Sequence, residues 1–156
     1  MNPILDMNAE NIIKRLQNKG FSAYAVGGCV RDSIMGRPTD DCDITTSALP
    51  NQVKEALNDY PIIDTGIQHG TVTAIVNGNP YEITTFRSEE PYSDSRHPDG
   101  VIFVSDLKTD LSRRDFTMNA VAYNSNEGII DLFGGVADIN NKIIKLWKMF
   151  YKSHEL

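Results

Sequence analysis

The sequence predicts a single mixed α+β domain, and three observations carry that prediction. Stretches with helically spaced apolar residues alternate along the chain with short β-prone runs. Two of those runs, Thr71–Val76 and Pro80–Phe86, are joined across Asn77-Gly78, a favoured type I′ hairpin turn. The 156 residues are one domain's worth of chain, and 40% hydrophobic with 23% charged residues is an ordinary composition for a soluble globular protein.

Taken in order, Met7 to Gln17 sets Ile12, Ile13 and Leu16 at helical spacing, with Asn8 as the expected N-cap and Lys19-Gly20 as the stop. Phe21 to Val26 mixes aromatic and β-branched residues and reads as a strand, broken by Gly27-Gly28. Val30 to Met35 reads as a helix closed by Gly36 and Pro38, and Cys42 to Thr46 as a strand. Pro50 to Leu57 is a further helix, with Ser47 or Asn51 as cap. In the hairpin, a two-residue turn sets Val76 opposite Asn79, Thr73 opposite Glu82 and Val72 opposite Ile83. One face then carries Val72, Ala74, Val76, Tyr81 and Ile83, and the other Thr71, Thr73, Glu82 and Thr84. Arg87 to Gly100 is polar and reads as a long, functional loop. Val101 to Val104 is expected as a strand, Asp106 to Leu111 as a helical turn capped by Ser105, and Asp115 to Tyr123 as helical. Gly128 to Phe133 is expected as a strand entering Gly134-Gly135, and Asp138 to Trp147 as the closing helix.

Composition narrows the function classes. The net charge is −6, whereas a domain that grips nucleic acid by electrostatics alone is usually basic. The ligand is therefore small, or a polynucleotide is held by a local patch or by something outside this chain. Neither a basic segment followed by a long apolar run nor a run of roughly 20 apolar residues is present, so a cytoplasmic protein is expected, with no membrane partner. Cys29 and Cys42 are too few for a disulfide scaffold and read as free thiols lining a pocket. His69, His97 and His154 are too scattered for a Cys/His zinc site.

The chemistry concentrates in Tyr24 to Thr46, YAVGGCVRDSIMGRPTDDCDITT. On a strand, Asp41 and Asp43 project to one face, where two carboxylates repel unless a cation lies between them. Oxygen donors without histidine or thiolate suit Mg²⁺, or Mn²⁺ in its place. A lone D-x-D is also common on exposed strands. A calcium loop starting at Asp41 fails, because Thr46 stands where glycine is needed and Gln52 where the bidentate Glu belongs. Gly27-Gly28 between strand and helix lets backbone N–H groups approach a phosphate, or simply makes a tight turn. Val30 rules out G-x-G-x-x-G, and no G-x-x-x-x-G-K-[ST] occurs. Arg31 would clamp phosphate oxygens or pair with Asp32. Arg113-Arg114, taken alone, is a basic pair on a solvated face.

Together these parts form a pattern far more specific than any one of them. With HGTV at His69 to Val72, YEITTFR at Tyr81 to Arg87, SRHP at Ser95 to Pro98, DLSRRDFTMNAVAY at Asp110 to Tyr123 and DLFGG at Asp131 to Gly135, the chain resembles the head domain of the tRNA nucleotidyltransferase (CCA-adding enzyme) and bacterial poly(A) polymerase family. The resemblance runs from about Ala9 to Ile144 and places the chain in the polymerase β-like nucleotidyltransferase superfamily. It implies an α+β head fold, with a central mixed, largely antiparallel sheet and flanking helices. Asp41, Asp43 and Glu82 would be catalytic, the two aspartates holding the metal. Gly27, Gly28, Arg31, Arg114 and Asp115 would bind the nucleotide, with Gly28 and Arg31 on its triphosphate. The implied reaction is Mg²⁺-dependent transfer of a nucleoside monophosphate from CTP or ATP to an RNA 3′-hydroxyl, that of a tRNA end or another RNA, releasing pyrophosphate.

The head is expected over residues 1–144, followed by a helical tail, residues 145–156, without a family match. The family's base-reading neck motif, E-D-x-x-R, is not found in that tail, so a separate polypeptide supplying neck and body is one expected partner. Poly(A) synthesis and a nucleotide-binding remnant without turnover are the alternatives to CCA addition. Trp147, Phe150 and Tyr151 either form a docking face or join the core.

Overall fold

The computed structural model describes residues 3, 5–37, 42–88 and 102–144. Helix α1 (Met7–Asn18) forms where Ala9, Ile12, Ile13 and Leu16 repeat at helical spacing, and it buries those four. Its cap is Asp6 and not the expected Asn8: the Asp6 carboxylate accepts from Ala9 N at 2.7 Å and from the Tyr81 hydroxyl at 2.9 Å. Strand β1 (Ala23–Val26), helix α2 (Gly28–Ile34), strand β2 (Asp43–Thr46) and helix α3 (Pro50–Ala56) follow in the expected order. Neither Ser47 nor Asn51 caps α3; its N-cap is Leu49, whose N–H donates to the Gln52 side chain.

Strand β3 (Ile62–Gly66), which no periodicity marked, is an edge strand pairing with β4 (Thr71–Val76). Strands β4 and β5 (Asn79–Thr85) make the hairpin in the expected register, Val76 opposite Asn79 and Thr73 opposite Glu82. Asn77 and Gly78 both have positive φ, 52° and 82°, as a type I′ turn requires. The expected loop from Arg87 begins differently. Arg87–Ser88 (β6) pairs with Ile102–Phe103 (β7), and residues 89–101 lie outside the described ones.

Helix α4 (Leu107–Ser112) is capped by Asp106 and not Ser105, because the Asp106 side chain reaches Thr109 N at 2.9 Å. Asp115 to Tyr123 is not helical. A 3₁₀ turn (Thr117–Asn119) leads into β8 (Val121–Asn124), whose apolar residues are spent on pairing with β1 and β9 (Gly128–Asp131). The last described helix, α5 (Gly135–Asn140), starts earlier than expected because the Asp131 carboxylate accepts from Gly135 N and Val136 N. Residues 145–156, with Trp147, Phe150 and Tyr151, lie outside the described ones.

The main sheet runs β3-β4-β5-β2-β1-β8-β9, with every pairing antiparallel except β2 beside β5. On one face α1, α2 and α3 cover Ala25, Ile44, Val72, Ala74 and Ile83. On the other, at the β1–β8 end, Tyr24, Val26, Phe86, Leu111 and Ala122 make a second, smaller core. The rest of that face, over β2, β4 and β5, is polar.

Cys29 and Cys42 are joined as a disulfide, not free thiols. The packing of α2 beside the entry to β2 holds their Cα atoms 5.1 Å apart, within the span of such a bond. Among the described residues no helix is long and apolar enough to cross a membrane.

Candidate functional site

The polar face carries a ladder of side chains whose positions follow from period-2 alternation. Thr65 and Thr73 share a hydrogen bond of 2.8 Å, as do Thr71 and Thr84. Glu82 stands opposite Thr73 and is exposed. Ile44 pairs with Ile83 in the parallel junction, so one residue back the exposed Asp43 neighbours Glu82 on this face. Asp43 also lies across from Val26, the residue before Gly27-Gly28. The glycine pair and both carboxylates are therefore at one end of the sheet. Asp41 lies outside the described residues.

Gly27 has φ +76°, a conformation that side-chain-bearing residues rarely adopt. A Cβ placed on it would stand 3.9 Å from Arg114 Nη1, and one on Gly28 would stand 3.3 Å from Arg31 Nη2. Two guanidinium groups, from residues 83 positions apart, thus flank the side-chain-free backbone of the glycine pair. Arg31 is held by Asp32 Oδ1 at 3.1 Å, the surface pairing that the sequence allowed, and also by Asn119 Oδ1 at 3.0 Å. Asn119, Arg113, Arg114, Asp115 and Phe116 line a pocket of about 410 Å³.

Arg114 is not on a solvated face. Its side chain is 17% exposed and its Nε has no hydrogen-bond partner among the described residues. Burial, with the neighbouring Arg113 charge, lowers its pKa, while Asp110 and Asp43 act to raise it. A buried cation whose Nε has no partner among the described residues, beside the side-chain-free glycine pair, is a setting that favours an anion.

Asp110 and Asn119 were missed as site residues. The signal for Asp110 is its spacing: on a helix, i, i+3 and i+4 share a face, and Asp110, Arg113 and Arg114 have that spacing. Asn119 carries no comparable signal, since its contact with Arg31 spans 88 residues.

The donor chemistry of Asp43 and Glu82 is oxygen only, which suits a hard divalent cation. Among the described residues no group of three or more His, Cys, Asp or Glu side chains is gathered closely enough to hold a metal ion. A third carboxylate for such a site would have to come from a residue such as Asp41.

Residues 23–145 match the model of the poly A polymerase head domain. The chain is 54% identical over 134 residues to the CCA-adding enzyme of Lactobacillus delbrueckii subsp. bulgaricus, covering 86% of this chain and 33% of that protein. It resembles the crystal structure of the Bacillus stearothermophilus CCA-adding enzyme in complex with CTP with a TM-score of 0.77 at 45% identity, over 89% of this chain and 32% of the other. A tRNA nucleotidyltransferase complexed with a primer tRNA and an incoming ATP analog is similar at a TM-score of 0.69 and 28% identity, over 87% of this chain and 38% of that one. The chain spans about a third of the length of the curated relatives it matches. With the mixed sheet, the paired carboxylates and the arginine-flanked glycines in place, the chain belongs to the poly A polymerase head domain family.

Proposed function

We propose that the chain is the catalytic head of a template-independent RNA nucleotidyltransferase, adding nucleoside monophosphates from CTP or ATP to the 3′-hydroxyl of a tRNA in the cytoplasm. The observation that carries the reading is the convergence of Arg31 and Arg114 on Gly27-Gly28 at the sheet end that bears Asp43 and Glu82. The CTP and primer-tRNA complexes of its relatives add to it.

In this reading Arg31 and Arg114 bind the β- and γ-phosphates, with the Gly28 backbone close to them and Asp115 beside Arg114 in the pocket. Asp41 and Asp43, with Glu82 beside them as a third carboxylate, would hold Mg²⁺ or Mn²⁺. Bound there, the metal supplies positive charge to the phosphoryl oxygens and makes the primer hydroxyl more acidic. The primer 3′-hydroxyl gives up its proton to solvent water as its oxygen forms the new bond to the α-phosphorus, the bond to the bridging oxygen breaks in line, and pyrophosphate carries away the electron pair. The arginines face charge that grows on the leaving group. The head spans residues 1–144, and base choice rests with neck and body elements, in one polypeptide or in a separate one.

Calorimetry is expected to detect Mg²⁺-dependent CTP binding that drops about a hundredfold or more in Asp43→Ala and Asp41→Ala, at or above the roughly 10–100-fold lost when only an outer-shell partner of a metal ligand is removed. Unchanged, metal-independent binding in both variants would refute the metal site. Labelled ATP, CTP, GTP or UTP offered with Mg²⁺ and a tRNA lacking its CCA end, with and without copurifying polypeptides, then decides the product. Ordered C, C, A addition is expected where neck and body elements are present. A long A tail would mean a poly(A) polymerase head, and no incorporation a nucleotide-binding remnant.

A further inference from the structure

We propose that Asp110 is the positioning residue of this site, aiming Arg114 at the glycine pair and locking it to the strand that carries Asp43. The proposal rests on the triphosphate reading of Arg114 above. Asp110 is fully buried, which a carboxylate tolerates only when its oxygens are well paired. Its Oδ1 accepts from Arg87 N at 3.0 Å and from Arg113 Nε at 3.3 Å. Its Oδ2 accepts from Thr45 Oγ1 at 3.1 Å and faces Arg114 Nη2 at 3.6 Å. Three hydrogen bonds and one ion-pair contact engage both oxygens, so Asp110 is committed to the fold around it.

Its partners come from three places: β2, β6 and the end of α4. Thr45 stands two residues after Asp43 on the same face, so Asp110 ties the carboxylate strand to the arginine pair. Arg114 is thereby oriented. Its Nη2 is drawn to Asp110, its Nη1 lies beside Gly27 and its Nε has no partner among the described residues. The same carboxylate offsets the repulsion between Arg113 and Arg114, which are adjacent in the chain. Asp110→Asn keeps the volume but removes that charge, and its amide sets N–H donors against donors.

The test is a double-mutant cycle on Mg·CTP affinity by calorimetry, with Asp110→Asn, Arg114→Ala and the double variant, each checked for a cooperative melt. Asp110→Asn alone is expected to weaken CTP about tenfold, within the range for coupled neighbours, and to cost nothing further in the Arg114→Ala background. A merely structural role would lower affinity equally in both backgrounds, and that result, or no loss at all, overturns the proposal. If Asp110→Asn does not fold, Thr45→Val takes its place in the cycle, with a loss of about threefold that also vanishes without Arg114. A wild-type protein that binds no CTP would sink the triphosphate reading itself. Binding in the wild type with additive losses sinks only the role of Asp110.

Discussion

Gly135 opens α5 against the 3₁₀ turn, and the lack of a side chain there is a packing requirement. A Cβ on it would stand 2.2 Å from Thr117 O and 2.6 Å from Val121 Cγ2. The first of these is backbone and cannot swing aside, so α5 would have to lift from the turn that precedes β8. Gly135→Ala is expected to cost about 3 kcal/mol, at the upper end for overpacking, read as a lower denaturant midpoint at unchanged slope. Residue-scale features of this kind differ in how legible they are. Glu82 was legible, because strict alternation from Asn77-Gly78 decides its face without any knowledge of its neighbours. Asn119 was not, since its contact with Arg31 spans 88 residues, and for Asp110 the local spacing with Arg113 and Arg114 was legible but the bond to Thr45, 65 residues away, was not. Cys29 and Cys42 show the same limit: their bond depends on how α2 packs beside β2, which spacing alone does not reveal.

Helices and strands were read best where one face decides. The apolar stripe of α1 and the β4–β5 hairpin follow from local period, and both came out as expected. β8 was misread because Phe116, Val121 and Ala122 fit a helical face as well as a strand, and pairing with β1 on one side and β9 on the other settled it. Helix α4 was found with its cap one residue off, and that cap yields a pH test. The exposed Asp106 carboxylate accepts from Thr109 N at 2.9 Å and from Thr109 Oγ1 at 2.6 Å, and these bonds hold its pKa below the ordinary carboxylate value. A depressed folded pKa means the cap's stabilisation is present above the unfolded carboxylate's pKa, near 4, and is lost as pH falls through the folded one. Asp106→Ala is therefore expected to cost about 1 kcal/mol at pH 7. The gap between variant and wild type should shrink progressively below about pH 4, measured by urea unfolding across that range. A gap that stays constant down to pH 2 would assign the effect to something other than the ionised cap.

At the scale of the whole molecule, topology and charge divide the work. The one parallel junction among the described strands, β2 beside β5, sets Asp43 next to Glu82 although they are 39 residues apart in the sequence. The antiparallel pairing of β1 with β2 brings the glycine pair to the same end. The three arginines are drawn into that corner: Arg114 by Asp110 and the glycine pair, Arg31 by Asp32 and Asn119, and Arg113 by Asp110. In the function proposed above they serve one compact anion and not the track of a polynucleotide backbone, and the chain as a whole carries a charge of −6. Affinity for RNA that comes from releasing condensed counterions needs several phosphates neutralised at once, and its hallmark is a steep fall with salt. The 156-residue chain is therefore expected to bind Mg·CTP while holding a tRNA lacking its CCA end more weakly than about 10 μM near physiological salt, weaker than much non-specific binding. The slope of log K against log salt should correspond to no more than about two phosphate contacts, measured by fluorescence anisotropy at several KCl concentrations. Submicromolar binding with a slope several times steeper would mean that a basic track exists in this chain, and RNA grip would then have to be assigned to the head itself.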